Sequence, residues 1–192
     1  MADAVTIWNK LRKYFTPEAA AGIMANLYYE SALRPDNLKN SYNTKLGLTD
    51  QEYTERVDTG EMSRDQFSRD AAGYGLAQWT YWSRKAGLYD QAKLKKVSIS
   101  DLDLQISYIY QELKTSYPNI FTYINAAGRT PREVARSIMI NYERPADQSA
   151  ANIERREKKA DDFYKDLQNV SDDDRRLKDL INDLKQLILK YQ

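Results

Sequence analysis

The chain has 192 residues, of which 42% are apolar and 30% charged, and its formal net charge is +1. This composition is typical of a folded globular protein, and the balanced charge does not favour a nucleic-acid partner. Histidine and cysteine are absent. A Ser-His-Asp triad, a thiol nucleophile, a disulfide and a thiolate zinc site are therefore excluded, and neither a metal nor another cofactor is expected.

The amino-terminal third is predicted to contain two helices followed by a long polar excursion. Apolar residues at helical spacing indicate a first helix over residues 4–15. Thr16 and Pro17 have the residue types of an N-cap and a first helical position, and the second helix should end before Pro35. Residues 35–73 are polar, with short segments such as Tyr53 to Val57 that could form strands or a brief helix, and a loop of that length in a compact domain is usually functional.

The rest of the chain shows mainly helical periodicity. Helices are predicted over residues 81–93, 101–115, 119–127, 130–142 and 147–167. Ser98 with Asp101, and Thr130 with Glu133, have the spacing of capping boxes. The fold class is therefore mainly α, or α+β at most, with one domain over residues 1–168.

Residues 169–192 form a separate unit in this prediction, an amphipathic C-terminal helix. Its apolar stripe consists of Leu177, Leu180, Ile181, Leu184, Leu187, Ile188 and Tyr191. The stripe covers about two heptads, fewer than the three or four that identify a coiled coil. Two interpretations remain open: a terminal helix packed on its own domain, or the start of a helical linker or oligomerisation segment, which would join copies of the chain through residues 172–191.

A glutamate on the second predicted helix interrupts an apolar stripe. Glu30 shares one helix face with Ile23, Leu27 and Leu33. Burial disfavours a charged carboxylate, and a glutamic acid that is neutral at pH 7 is the general acid that a glycosidase needs. The alternative is an ion pair with an arginine at the end of the helix, for which Arg34 is close in sequence.

A segment rich in glycine and aromatic residues, AGYGLAQWT, follows the polar excursion. The two glycines that flank Tyr74 permit close backbone approach. The amide and aromatic side chains that could hold a sugar are those of Gln78, Trp79, Tyr81 and Trp82. The alternative is a glycine turn followed by aromatic side chains of the core.

Three motifs in this order resemble the phage tail lysozyme family: GIMANLYYES at 22–31, GYGLAQWT at 73–80 and YERPADQS at 142–149. Its members are lysozyme-like domains of bacteriophage tail-tip proteins and related bacterial cell wall hydrolases, and goose-type lysozymes and soluble lytic transglycosylases are more distantly similar. The resemblance covers about residues 5–167. It implies a lysozyme-like fold and cleavage of the β-1,4 bond between N-acetylmuramic acid and N-acetylglucosamine in peptidoglycan.

The same resemblance implies roles for individual residues. It makes Glu30 the catalytic acid and places Tyr74, Gln78 and Trp79 along the substrate cleft. It also places Tyr142 where a transglycosylase tyrosine contacts the catalytic glutamate. The expected partners are peptidoglycan glycan strands and phage tail proteins, with no nucleic acid. The expected location is the virion or the outside of the cell, and neither a signal peptide nor a membrane span is apparent.

A hydrolase also needs a second carboxylate, as nucleophile or as base. Asp70, three residues before the glycine motif, is the first candidate for this catalytic role. The other candidates are Asp50, Glu52, Asp58 and Glu143. If none is placed to act, a lytic transglycosylase is the alternative, because there the 6-hydroxyl of the substrate closes an anhydro product. A further alternative is a non-catalytic structural or glycan-binding module of a phage tail.

Overall fold

The computed structural model describes residues 4–169, which are mainly α-helical as predicted. The helices are α1 (Ala4–Leu11), α2 (Pro17–Ser31), α3 (Asn40–Leu46), α4 (Asp50–Thr59), α5 (Arg64–Arg69), α6 (Trp82–Lys95), α7 (Leu102–Ser116), α8 (Pro118–Ile124), α9 (Pro131–Ile138) and α10 (residues 150–169), with a π-helical turn at Met139–Glu143. Isolated β-bridges join Tyr74 to Leu38 and to Trp79. Within this part of the chain, no helix has both the length and the apolar character of a membrane span.

The central helix is α2, of whose 15 residues ten are buried. It begins as predicted, because the Thr16 side chain accepts a hydrogen bond from the Ala19 amide and Pro17 occupies the first turn. Gly22 allows α9 to approach closely, since a Cβ there would lie 2.7 Å from the Ala135 nitrogen. The Asn26 amide donates to the Ala135 carbonyl at 2.9 Å and fixes this crossing.

The polar excursion is more regular than predicted, because it contains the three short helices α3, α4 and α5. The segment Tyr53 to Val57, for which strands or a brief helix were expected, lies within α4. Capping boxes start two of these helices, Thr49 with Glu52 at α4 and Ser63 with Gln66 at α5. Apolar periodicity does not reveal helices this short. For α4 and α5 the local signal is the capping box, whereas the first turn of α3 has no side-chain cap.

Two further helix boundaries differ from the sequence prediction. Asp101 alone caps α7, accepting from the Leu104 amide at 2.7 Å, whereas Ser98 bonds to Ser100 instead. The helix predicted over residues 130–142 is α-helical only to Ile138 and then widens into the π-helical turn. The proposed division at residue 169 stays a prediction, because residues 170–192 lie outside the described part of the chain.

Candidate active site

Glu30 lies in the last turn of α2, at the edge of the core and not inside it. Its side chain is 18% exposed, and one carboxylate oxygen accepts a 2.8 Å hydrogen bond from Arg156 of α10. Arg156 is 4% exposed and also donates to the Asn26 side chain at 2.8 Å. Glu30 therefore forms the ion pair that was the alternative interpretation, but its partner is Arg156. Arg34, the expected partner, pairs with Asp36 and Asp50.

The backbone that follows Glu30 is strained. Ala32 and Leu33 have φ values of 53° and 62°, in the left-handed region that non-glycine residues rarely adopt. Such conformations persist only where surrounding contacts hold them, and they are concentrated at functional sites. One such contact is the hydrogen bond from the Ser31 hydroxyl to the Leu76 carbonyl, at 2.9 Å. It joins the end of α2 to the glycine motif.

The glycine motif forms a tight turn that packs against α7. Tyr74 and Trp79 exchange backbone hydrogen bonds of 3.2 and 3.0 Å across it. Gly75 has a φ of 75°, and a Cβ there would lie 2.8 Å from the Gln105 side chain. Gln105 in turn accepts from the Leu76 amide at 2.9 Å. Glycine is required at this position both by the backbone conformation and by the lack of space.

The aromatic residues predicted to line the substrate cleft are buried. Tyr74 and Trp79 are 0% exposed, and Tyr142 is 2% exposed. Gln78 is half-buried, and its amide donates to the carbonyls of Asn37 and Gly75 at 3.0 and 3.1 Å. Tyr74, Gln78 and Trp79 are part of the turn itself, and direct contact of these three side chains and of Tyr142 with a sugar stays a prediction.

The exposed aromatic rings of this region come just after the motif. Tyr81 is 63% exposed and Trp82 is 48% exposed. They border a shallow groove of about 360 Å³, together with Arg69, whose guanidinium lies 5.6 Å from the centre of the Trp82 ring. An aromatic face beside a hydrogen-bond donor suits a sugar ring. A second groove, of about 850 Å³, lies between α8, α9 and α10. Neither groove is lined by Glu30 or Glu143.

A buried carboxylate that the sequence analysis missed organises the interior behind the site. Glu112 of α7 accepts from Arg84 at 2.7 and 3.0 Å, from the Trp79 indole at 2.8 Å and from the Tyr142 hydroxyl at 2.7 Å. Tyr142 therefore contacts Glu112 instead of bonding to Glu30. Glu112 follows Ile109 by three residues, on the apolar face of its helix, and this spacing is the same signal that identified Glu30.

Asp70, the first candidate for a second carboxylate, lies in a different polar cluster. It accepts from Lys85, from the Tyr53 hydroxyl and from the Ala72 amide. Lys85 is 0% exposed, and burial lowers its pKa to about 8 against the opposing attraction of Asp70. These bonds give Asp70 a structural role, and a catalytic role for it stays a prediction.

The other candidates on the excursion also take part in local structure. Asp50 pairs with Arg34 and accepts from the Leu38 amide at 3.1 Å. Glu52 belongs to the capping box of α4, and Asp58 accepts from the Ile99 amide at 2.9 Å.

Glu143 differs from these candidates because its carboxyl group has no such partners. It is the last residue of the π-helical turn, and its Oε1 is buried without a hydrogen-bond partner among the described residues. Burial raises the pKa of Glu143 well above its usual range, and the neighbouring Glu30 and Glu112 act in the same direction. Arg84 and Arg156 act against this rise. The next residue, Arg144, is again left-handed, with a φ of 52°.

A helical domain whose central helix ends in a glutamate, next to a glycine turn, has the features of the lysozyme-like class. The family model described as phage tail lysozyme matches residues 2–167, so the chain belongs to that family. A comparison with curated proteins finds no match. Membership supports a lysozyme-like role on peptidoglycan, an enzyme of the glycoside hydrolase type and an association with the phage tail.

Proposed function

We propose that the protein is a muramidase that cleaves the β-1,4 bond between N-acetylmuramic acid and N-acetylglucosamine, with Glu30 as the general acid. The observation that carries this proposal is the position of Glu30. It is partly open to solvent, yet it is held by Arg156, which is 4% exposed, and is followed by two left-handed residues. A carboxyl group fixed at the edge of the core can meet a glycan strand without moving the helix that carries it.

In this mechanism a protonated Glu30 donates its proton to the glycosidic oxygen as the bond to the anomeric carbon breaks. The bonding electrons stay with the departing oxygen, and positive charge develops on the sugar ring. Glu30 becomes a carboxylate, and Arg156 at 2.8 Å stabilises the charge that forms there. Asn26 accepts from the same arginine and holds it in place. A water molecule then adds to the anomeric carbon, and the proton that it releases restores the acid.

A lytic transglycosylase is the second candidate, because the carboxylates of the polar excursion are engaged in hydrogen bonds within the fold. Asp50, Asp58 and Asp70 all accept hydrogen bonds from backbone amides. A group committed to such bonds is poorly placed to activate a water molecule. In a transglycosylase the 6-hydroxyl of the muramic acid attacks the anomeric carbon instead, so a 1,6-anhydro ring forms and no water is consumed.

Mass spectrometry of digested peptidoglycan distinguishes these reactions. We expect products with reducing muramic acid ends, because water is the acceptor in a muramidase. Products with 1,6-anhydro ends would support the transglycosylase instead. Glycan binding by the purified protein without any turnover would support a non-catalytic tail module and contradict both enzymatic proposals.

We also propose that Tyr81 and Trp82 bind part of the glycan strand. Replacing Trp82 with alanine should weaken binding to insoluble peptidoglycan, because one exposed ring face is lost. Aromatic stacking contributes about 0.5–1.5 kcal/mol, which corresponds to about 2- to 10-fold in affinity. The measurement is a sedimentation binding assay in a Glu30→Gln background, which prevents cleavage. Leu94→Ala is a matched control, since Leu94 is 75% exposed on the same helix, and an equal loss in both variants would contradict the proposal.

A further inference from the structure

We propose that Arg155 binds a carboxylate group carried by the muramic acid of the glycan strand, beside the bond that Glu30 cleaves. This subsite distinguishes peptidoglycan from an uncharged glycan such as chitin. The inference rests on the function proposed above, because the carboxylate belongs to that substrate. It concerns recognition alone, and Arg155 takes no part in the proton transfer.

The position of Arg155 joins it to the proposed acid through two parts of the chain. Its guanidinium lies 4.3 Å from the centre of the Tyr29 ring, and the guanidinium of Arg156 lies 5.6 Å from the same ring. Arg156 donates to Glu30 at 2.8 Å, and Tyr29 directly precedes Glu30 in α2. Both arginines therefore lie against one ring beside Glu30. Arg156 is buried, whereas Arg155 is exposed and can meet a ligand.

The guanidinium of Arg155 is held in place before any ligand binds. Its Nη2 donates to the Asn152 side-chain oxygen at 2.7 Å. Asn152 is 7% exposed, and its amide donates to the Asp147 carbonyl at 2.7 Å. The Tyr29 ring covers one face of the guanidinium, as is common for arginine. A side chain oriented by such contacts loses less conformational entropy when it binds.

The positive charge of Arg155 is not neutralised by a direct ion pair, since it forms none with a residue in the described range 4–169. Two acidic residues of the same region are bonded to other donors. Asp147 accepts from the Ser149 amide at 2.9 Å, and the pKa of Asp147 is lowered mainly by Ser149 and to a smaller extent by Arg155. Glu154 pairs with Lys158 at 2.8 Å. The guanidinium is therefore available to an external anion.

A second cation extends this positive surface. Lys159 lies one turn after Arg155 on α10, so the two side chains share a helix face. Its Nζ lies 4.6 Å from the centre of the Tyr28 ring, which is 40% exposed and packs edge-on against Tyr29 at 5.2 Å. Two neighbouring tyrosines of α2 thus each carry a cation of α10. Both cations favour an anionic ligand at this edge of the site.

The chemistry of the substrate identifies the anion. A guanidinium presents two parallel N–H groups whose spacing matches the two oxygens of a carboxylate. Muramic acid differs from N-acetylglucosamine by a lactyl group, whose carboxyl group is either free or joined to the peptide stem, and the stem has carboxylates of its own. Because a muramidase cleaves the bond at the anomeric carbon of muramic acid, this sugar always lies next to the acid. Chitin has no such group.

The test is the binding of soluble disaccharides to the native protein, followed by NMR. N-acetylglucosaminyl-β-1,4-N-acetylmuramic acid is a muramidase product and lacks the bond that is cleaved, so binding is measured without turnover. It is used with and without a peptide stem, and chitobiose is the uncharged reference. At low ionic strength we expect the charged disaccharide to bind about 2- to 5-fold more tightly than chitobiose, the usual effect of an exposed ion pair. The Arg155 Nε–H resonance should shift with it.

The Arg155→Gln variant tests the residue itself. Its amide can still donate to Asn152, but its charge is gone, so it should bind the charged disaccharides no more tightly than chitobiose. Lys158→Gln is the matched control, because it removes one positive charge from the same helix at a side chain that is 65% exposed and paired with Glu154. It should keep the preference. A shift with the stem-free disaccharide would identify the lactyl carboxylate as the ligand, and a shift only with the stem-bearing one would identify the stem.

Three results would overturn the carboxylate subsite. They are a preference that survives in Arg155→Gln, an equal loss of preference in Lys158→Gln, or a native protein that binds neither charged disaccharide more tightly than chitobiose. The last measurement uses the native protein alone, so it does not depend on the folding of a variant. Failure of the muramidase proposal is a separate result, because it appears as peptidoglycan left intact by the native protein, and disaccharide binding requires no cleavage.

Discussion

Glu30→Gln is expected to lower the rate of peptidoglycan cleavage by about 10²- to 10⁴-fold, the usual contribution of a general acid. Glutamine has nearly the same shape, and its carbonyl oxygen can still accept from Arg156, so the packing of α2 should be kept. What it lacks is a proton to donate to the glycosidic oxygen. The measurement is the release of soluble fragments from purified cell walls, with circular dichroism as the check on folding.

Glu18→Gln is the matched control for this experiment. Glu18 lies in the first turn of the same helix and accepts from the Tyr164 hydroxyl at 2.9 Å, far along the helix from Glu30. It should retain native activity. A folded Glu30→Gln protein with full activity would contradict the assignment of Glu30, and the aromatic groove would then be the stronger basis for a binding module.

Glu112→Leu is expected to lower the free energy of unfolding by about 3–5 kcal/mol, the range measured when one partner of a buried ion pair is removed. The substitution leaves the Arg84 charge buried without its carboxylate. It also removes the acceptor of the Trp79 indole and of the Tyr142 hydroxyl. Urea denaturation measures the effect, because the linear dependence on denaturant gives the free energy directly.

The double variant Glu112→Leu with Arg84→Met separates charge from packing. Removing both charges should recover part of the lost stability, because the penalty in the single variant comes largely from the unpaired guanidinium. The effect of Arg84→Met on the free energy of unfolding is measured in the native protein and in the Glu112→Leu variant. An equal loss in both would show that the two residues act independently. That result would contradict a coupled buried pair.

The features that the sequence predicted well depend on local rules. The span of α2 followed from Thr16, Pro17 and the apolar stripe, and the fold class followed from repeated helical periodicity. The candidate glutamate was found because its position on an apolar face is local information as well. Local rules could not predict the ion-pair partner of Glu30, since Arg156 is 126 residues away in the chain.

The aromatic residues show a second limit of local reasoning. Trp79 and Trp82 are three residues apart, yet one is fully buried and the other is 48% exposed. Trp79 belongs to the hydrophobic core, and its indole donates to Glu112 of α7. Neither the amino-acid composition nor the residue spacing predicts that contact. The extent of the short helices in the excursion was not predicted for another reason, because each of them buries three residues or fewer and so shows little apolar periodicity.

The two hydrogen bonds of Arg156 have a consequence for biosynthesis. Asn26 and Glu30 are translated before the arginine that binds both, which follows Asn26 by 130 residues. A growing chain on the ribosome therefore carries Glu30 without its cation until α10 has emerged. The proposed lytic site is assembled only when translation of the domain is nearly finished, and an unfinished chain inside the host lacks the arrangement that cleavage of the wall would need.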